Sequence, residues 1–311
     1  MSSNTLKLGI VGVGKIVHDQ HLPSIRSANT FELVATASPE TSIEGVQAYS
    51  DIQSMLSDIQ LDAVALCMPP QSRYEAARLA LANGLHVLLE KPPGATVSEV
   101  GQLHALALQN KVSLYAAWHS RYGVAVEAAK SILSNRKIES AALTWKEDVR
   151  KWHPGQEWIW QPGGLGVFDP GINGLSILTH CLNSSAFVTK ADLKFPCNRR
   201  TPIAASVDFQ TASGVPITSE FDWRVTGGES WDISFSTSQG SVQILDGGAR
   251  LRIDGVEQEL QCHSTHGEYQ AIYAYFAELI KKAKSDVDLT PLTLVADAFL
   301  LGSRQSVEAF D

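Results

Sequence analysis

The sequence has no surplus of positive charge: 25 Lys and Arg stand against 33 Asp and Glu, a net of −8. Nucleic acid and anionic membrane surfaces are bound through basic footprints, so neither is expected as a partner. Cysteine is scarce, and Cys67, Cys181, Cys197 and Cys262 are widely scattered with no CxxC pair. That spacing argues against disulfide staples and a zinc site, and points to a reducing cytoplasm. No apolar run approaches the roughly 20 residues that span a bilayer. No charged-then-apolar leader opens the sequence, which leaves secretion without support. Internal repeats and low-complexity stretches are also missing.

What is there is length and alternation. A chain of 311 residues exceeds a usual single domain, and two domains are expected, each large enough to bury a core. Leu6 to Val13 is a short, nearly continuous apolar run, and "FELVATAS", "LDAVALCMPP", "GLHVLLEKPP" and "VSLYAAWHS" repeat its character. Helical spacing, as in Ser72 to Asn83, lies between them. Strands alternating with helices predict a doubly wound parallel sheet, an α/β Rossmann domain over residues 1–121. Beyond Tyr122 the texture changes. After a helical stretch at Val124 to Ser134 come "ESAALTWKEDV", a glycine-rich loop, and period-2 runs such as "ITSEFDWRV", "WDISFSTS" and "SVQIL". These predict an α+β second domain over 122–311, built on an open, mainly antiparallel sheet. Glu268 to Lys282 and Leu292 to Phe310 read as helices that pack back on the first domain.

"GIVGVGKIV" places Gly12 and Gly14 directly after the first strand. The first glycine allows the tight turn, the second lets the backbone approach a pyrophosphate, and the helix N-terminus that follows favours its charge. Val17 holds the position of the third glycine. About 20 residues on, where an NAD enzyme places a carboxylate against the ribose 2′-hydroxyl, stands Ser38, followed by Pro39 and Glu40. A serine tolerates a 2′-phosphate and a carboxylate repels it, which favours NADP slightly, while Glu40 leaves NAD open.

With "GVGKI", "MPP" at Met68 to Pro70, "EKP" at Glu90 to Pro92 and "GGLGVFDPGIN" at Gly163 to Asn173, the whole chain resembles the Gfo/Idh/MocA oxidoreductase family. The resemblance implies Gly12, Gly14, Lys15, Ile16, Ser38, Pro69, Pro70, Glu90 and Lys91 as cofactor contacts. It also implies a second domain that covers the nicotinamide with substrate groups. The stretch "WKEDVRKWHPGQEWIW" narrows the likeness to the family's aldose 1-dehydrogenase branch, and so implies L-arabinose, D-galactose and D-fucose as substrates.

The family's EKP lysine maps to Lys91 and its loop carboxylate to Asp169. Four residues later the family commonly has histidine, and this chain has Asn173, which takes no proton at relevant pH. If the chain is catalytic the base lies elsewhere, with Asp169 or Lys91 the candidates and Asn173 orienting the reacting oxygen. The plainer alternative is that Asp169 caps a helix begun by Pro170. Among the groups between Trp145 and Trp160, Glu147, Trp152 and His153 are candidates for a sugar wall, since carboxylates and imidazoles do not belong unpaired in an apolar core. Trp145 and Trp158 read equally well as core. His119 in "AWHSR" is either a sugar contact or a satisfied structural histidine. Trp223 and Trp231 face either a second subunit, in a homo-oligomer paired through this sheet, or the sugar, with Trp231 the candidate contact. No HExxH or comparable spacing suggests a metal. Two other readings stay open: a non-catalytic sensor on the same fold, favoured by Asn173, and a dehydrogenase of another polyol or amino sugar.

Overall fold

The computed structural model describes residues 5–260 and 267–311, so Cys262 lies outside the described residues. The strands are β1 (Leu6–Val11), β2 (Phe31–Ala37), β3 (Gln47–Tyr49), β4 (Ala63–Leu66), β5 (His86–Glu90), β6 (Leu114–Ala117), β7 (Ile138–Lys146), β8 (Ala186–Pro196), β9 (Ala204–Thr211), β10 (Pro216–Asp222), β11 (Ser230–Thr237), β12 (Gly240–Leu245), β13 (Arg250–Ile253), β14 (Val256–Glu257) and β15 (Ser303–Val307). The helices are α1 (Leu22–Ser27), α2 (Ile52–Asp58), α3 (Arg73–Ala82), α4 (Val97–Asn110), α5 (Val126–Leu133), α6 (Val149–Trp152), α7 (Phe168–Cys181), α8 (Gly267–Lys281) and α9 (Thr290–Leu301). They form two compact units, residues 5–119 with 267–289 and residues 120–260 with 290–311.

The first unit holds a six-stranded sheet in the order β3-β2-β1-β4-β5-β6, with every pairing parallel. Its central strands read as continuous apolar runs because both faces are covered; Ala63, Val64, Ala65 and Leu66 are fully buried. The strand order reverses between β1 and β4, and ligands of such sheets bind at the carboxyl ends of the strands beside that reversal. The register Val11↔Leu66 brings Gly12 and Met68 out of the sheet side by side. Helix α4 starts on a capping box, with Glu99 N–H donating to Thr96 Oγ1 at 3.2 Å and Thr96 N–H to Glu99 Oε2 at 3.2 Å.

Helix α8, remote in sequence, completes this unit. Tyr269, Ile272, Tyr273, Phe276 and Leu279 form its buried stripe, and Phe276 stacks on Phe31 of β2 at 5.6 Å. Of the two helices expected in the tail, α8 therefore lies in the first unit and α9 in the second, where Phe299 meets Phe168 edge-on at 5.6 Å.

The second unit is a nine-stranded sheet, β14-β13-β12-β11-β7-β10-β9-β8-β15. Its pairings are antiparallel except for β7 with β10 and β8 with β15. Strand β10 shows the expected alternation: Ile217, Ser219 and Phe221 are buried, and Thr218 and Glu220 are exposed. Two expectations change. The helix expected through Phe310 stops at Leu301, and Ser303–Val307 adds a parallel edge strand to β8. Gly302 makes the break possible, since a Cβ there would meet the Ala298 carbonyl oxygen at 2.5 Å, and the polar "SRQS" that follows has no apolar stripe to bury. Helix α7 begins at Phe168, earlier than the expected Asp-Pro start, with Val167 at its cap position and no side-chain cap bond. Asp169 is thus inside the first turn and does not cap the helix.

Among the described residues, no helix is long and apolar enough to cross a membrane.

Candidate active site

In the first unit the glycine loop has the geometry that a dinucleotide requires. Gly12 has φ +84°, and a Cβ on it would lie 2.6 Å from the Met68 backbone nitrogen, so only glycine fits. A Cβ on Gly14 would meet nothing within 4 Å, which leaves the backbone open to the approach of a pyrophosphate. The chain turns helical at Lys15, and Ile16 leads into a π-helical turn at Val17–His21. Val17, at the third glycine position, is fully buried. Ser38, at the end of β2, is half-buried and shares a hydrogen bond with Thr41 at 2.8 Å; Thr41 in turn donates to the Val13 carbonyl at 2.9 Å. Glu40 is exposed.

The turns after β4 and β5 are fastened by one side chain. Arg73, 2% exposed, donates to the carbonyls of Met68, Glu90 and Pro92. The "MPP" turn with Pro69 and Pro70, and the "EKP" turn with Lys91, are therefore tied together at the carboxyl edge. The Lys91–Pro92 peptide is cis. Glu90 points back into the protein and accepts from Tyr269 Oη at 2.8 Å and from the Lys91 backbone N–H at 2.8 Å, with His21 Nε2 at 3.0 Å. His21 is fully buried, and its Nδ1 lies 2.7 Å from Tyr273 Oη. Burial opposes the charge on Glu90, but the hydrogen bond and positive charge of His21, helped by His119 and Tyr269, outweigh it and bring the carboxyl down to about 2. Burial opposes the charge on His21 as well; Cys67, Tyr273 and the bond to Glu90 together raise it well above the ordinary histidine value. His119 belongs to the same unit. Its Nδ1 lies 2.7 Å from Glu268, and its ring stacks on Tyr269 at 5.4 Å.

In the second unit, the glycine-rich loop carries α7 onto the sheet. Gly166 has φ +57°, and a side chain there would run into the Pro202 carbonyl. Gly171 and Gly174 let the helix lie directly on Phe221 and Trp145, which their Cβ atoms would meet at 2.5 and 2.6 Å. Asp169, on the helix so seated, is 2% exposed. Asn173 is one turn further on the same face and half-buried, with no side-chain hydrogen bond among the described residues.

Glu147, just past β7, is buried at 4%. Trp231 donates its indole N–H to Glu147 Oε2 at 2.9 Å, and Trp223 donates to Oε1 at 3.3 Å. The expectation that Glu147 offers its carboxylate to sugar hydroxyls thus meets a different arrangement, in which the carboxylate anchors two indoles. His153 lies between the acids: Nε2 is 3.6 Å from Glu147 Oε1, and Nδ1 is 3.8 Å from Asp169 Oδ2. Its ring rests against Trp223 at 5.3 Å. Trp152 is 41% exposed and meets Trp231 edge-on at 5.4 Å, while its N–H donates to Glu229 at 2.8 Å. Trp145 and Trp160 are core, at 6% and 5% exposure. The structure therefore gathers Glu147, Trp152, His153, Asp169, Asn173 and Trp231 in one unit, and Gly12, Gly14, Lys15, Ile16, Ser38, Pro69, Pro70, Glu90, Lys91 and His119 in the other.

The glycine cradle and the strand order point to a dinucleotide-binding enzyme. A model of the oxidoreductase family with an NAD-binding Rossmann fold matches residues 6–117. The sequence is 44% identical over 306 residues to a galactose 1-dehydrogenase of Pseudomonas fluorescens, covering 98% of each chain. The chain belongs to the Gfo/Idh/MocA oxidoreductase family. A crystal structure of a D-galactose-1-dehydrogenase protein from Rhizobium etli matches it with a TM-score of 0.94 at 57% identity, covering 100% of this chain and 99% of that one. KijD10, a 3-ketoreductase from Actinomadura kijaniata crystallised with NADP and TDP-benzene, shares the Gfo/Idh/MocA fold at 18% identity with a TM-score of 0.84, covering 98% of this chain and 100% of that one. As in the rest of the Gfo/Idh/MocA family, the cofactor is a nicotinamide dinucleotide, and the bare backbone at Gly12 and Gly14 fits it.

Residues that sequence reasoning missed are those that hold the named ones in place: Arg73, His21, Tyr269 and Tyr273. Nothing local marks them, because their partners lie far along the chain.

Proposed function

We propose that the protein is an NAD(P)-dependent aldose 1-dehydrogenase that oxidises C1 of L-arabinose, D-galactose or D-fucose to the lactone. The observation that carries this reading is the whole-chain likeness to galactose 1-dehydrogenases, at 44% and 57% identity. A nicotinamide dinucleotide held at the Gly12–Gly14 loop would supply the hydride acceptor. In the reaction the C1–H electron pair leaves as hydride, a C1–O1 double bond forms, and the O1 proton goes to a base. Asp169, a buried carboxylate in the first turn of α7, is that base; Lys91 donates a hydrogen bond to O1 and stabilises the negative charge that develops there. Asn173, whose amide has no other partner among the described residues, orients the same oxygen. Trp152 and Trp231 offer aromatic faces to the sugar's C–H surface, with Glu147 fixing the indole of Trp231. His119 and His153 complete the proposed substrate contacts.

For the cofactor we favour NADP, because Ser38 and Thr41 put hydroxyls where an NAD enzyme carries a carboxylate. We also read the protein as a cytoplasmic homo-oligomer paired through the nine-stranded sheet, to be checked by analytical ultracentrifugation.

The decisive experiment follows reduced-cofactor absorbance with five sugars. L-Arabinopyranose, D-galactopyranose and D-fucose share their ring hydroxyl configuration at C2, C3 and C4, and all three should turn over. D-Glucose and D-xylose, inverted at C4, should be poor substrates, because inversion leaves a buried polar group unpaired. The substituent on C5 should change efficiency by only about 1–3 kcal/mol. Glucose or xylose used as well as arabinose would overturn the assignment. Cofactor binding without turnover of any aldose would favour the sensor.

A further inference from the structure

Asp169 is 2% exposed, so a proton taken up there has no direct way out, and Asn173 cannot accept it. Within the second unit, His153 is a titratable group beside Asp169. Its two ring nitrogens face different carboxylates, Nδ1 toward Asp169 at 3.8 Å and Nε2 toward Glu147 at 3.6 Å. Trp223 covers one ring face at 5.3 Å, and Gln156 Oε1 is 3.3 Å from Nδ1. The imidazole is 14% exposed, more than either acid it faces. We infer that His153 is a positioning and relay residue: it takes the proton from Asp169 after each oxidation and passes it toward solvent.

The tautomer follows from the acids. Glu147 accepts two indole N–H groups through its carboxylate oxygens, so it favours N–H on the His153 Nε2 that faces it. That leaves the Nδ1 lone pair toward Asp169, and Gln156 Oε1, 3.3 Å from Nδ1, accepts the N–H once the proton has arrived. The transfer breaks the Asp169 O–H bond and forms N–H at Nδ1. The resulting imidazolium lies between two carboxylates, an arrangement that stabilises it. Both gaps exceed hydrogen-bond length, and a small movement of the ring or of α6 closes either one. Among the described residues, Glu147 from the end of β7 and Asp169 from α7 are the charged groups paired with the ring.

This inference rests on the aldose dehydrogenase reading, and the test separates the two. With saturating cofactor and D-galactose, wild-type kcat should fall at low pH as the relay becomes protonated. His153→Asn should raise the sugar KM, as loss of a substrate contact does, and in addition lower kcat about 10²-fold and move the low-pH limb. Added imidazole should restore part of the kcat of His153→Ala, which a merely structural role would not allow. A His153→Asn profile that superimposes on wild type after scaling, with no rescue by imidazole, overturns the relay. A second measurement needs no turnover: NMR of ring-labelled histidine should show the His153 ring-nitrogen shifts moving in both Asp169→Asn and Glu147→Gln. No movement in either variant overturns the inference. Wild type that turns over no sugar but shows that coupling overturns the aldose reading and supports the shared proton.

Discussion

His21 and His153 sit in different units, and each meets carboxylate and aromatic partners brought by distant elements. Around His21 the bonds are closed: 3.0 Å to Glu90 and 2.7 Å to Tyr273, with no exposure at all. Around His153 they are open, 3.6 and 3.8 Å to the two acids, and the ring keeps 14% of its surface. The first cluster is a buried ion pair whose partners have no room to move, and it fixes the backbone from which Lys91 projects. The second leaves slack on both sides of one imidazole, which suits a group that gains and loses a proton in each cycle. The same residue types therefore serve as a fastener in one place and as a movable part in the other, and distance and burial separate the two.

The largest expected effect lies in the fastener. Glu90→Gln leaves His21 as a buried charge without its counter-ion and should cost about 3–5 kcal/mol of unfolding free energy, read by denaturant titration. The pH dependence follows from the same pair. Glu90 is depressed to about 2, so its contribution is present above the unfolded carboxyl value and is lost as pH falls toward about 2. His21 is raised, so its contribution is present below about 6.5 and is lost as pH rises through the folded value. The pair should stabilise most between about pH 4.5 and 6.5, and Glu90→Gln should flatten that window. A variant with wild-type stability across this range would break the contrast.

Next in size, Lys91→Ala and Asp169→Ala should each lower kcat by about 10²-fold with reduced-cofactor affinity nearly unchanged. Near-normal turnover in Asp169→Asn would move the base to Lys91. Ser38→Asp should weaken NADP about tenfold by repulsion of the 2′-phosphate and spare NAD, measured as paired cofactor KM values. Unchanged kinetics would show that the 2′ position is read elsewhere. The smallest effect sharpens the comparison as a control: Thr96→Ala removes the α4 cap, which bonds neither histidine, and should cost about 1 kcal/mol with no change in the pH window.

The alternation of apolar runs made the first sheet legible, because a strand covered on both faces must be apolar throughout. Gly12 and Gly14 were legible for a similar reason: a backbone that must pass a ligand closely excludes side chains. Asp169 and His153 stood out as polar residues in apolar or glycine-rich surroundings, but the sequence did not reveal that they face each other. Glu147 was legible as a buried acid in search of partners, and the partners, Trp223 and Trp231, are 76 and 84 residues away. The strand at Ser303–Val307 was missed because five largely exposed residues on a sheet edge carry no periodic signal.

Glu90 accepts its hydrogen bond from a tyrosine 179 residues further along the chain. At a synthesis rate of about 5–20 residues per second, that tyrosine reaches the ribosome's active centre roughly ten to thirty-five seconds after Glu90 does. During that interval the parallel sheet can form, but β2 presents Phe31 with no Phe276 to stack on it, and the Glu90–His21 pair lacks both tyrosines. A growing chain thus carries an exposed aromatic face and a half-satisfied charge until the helix at 267–281 emerges. The packing of the first unit is in this way completed only after most of the second unit has been made, even though the glycine cradle is among the first segments translated.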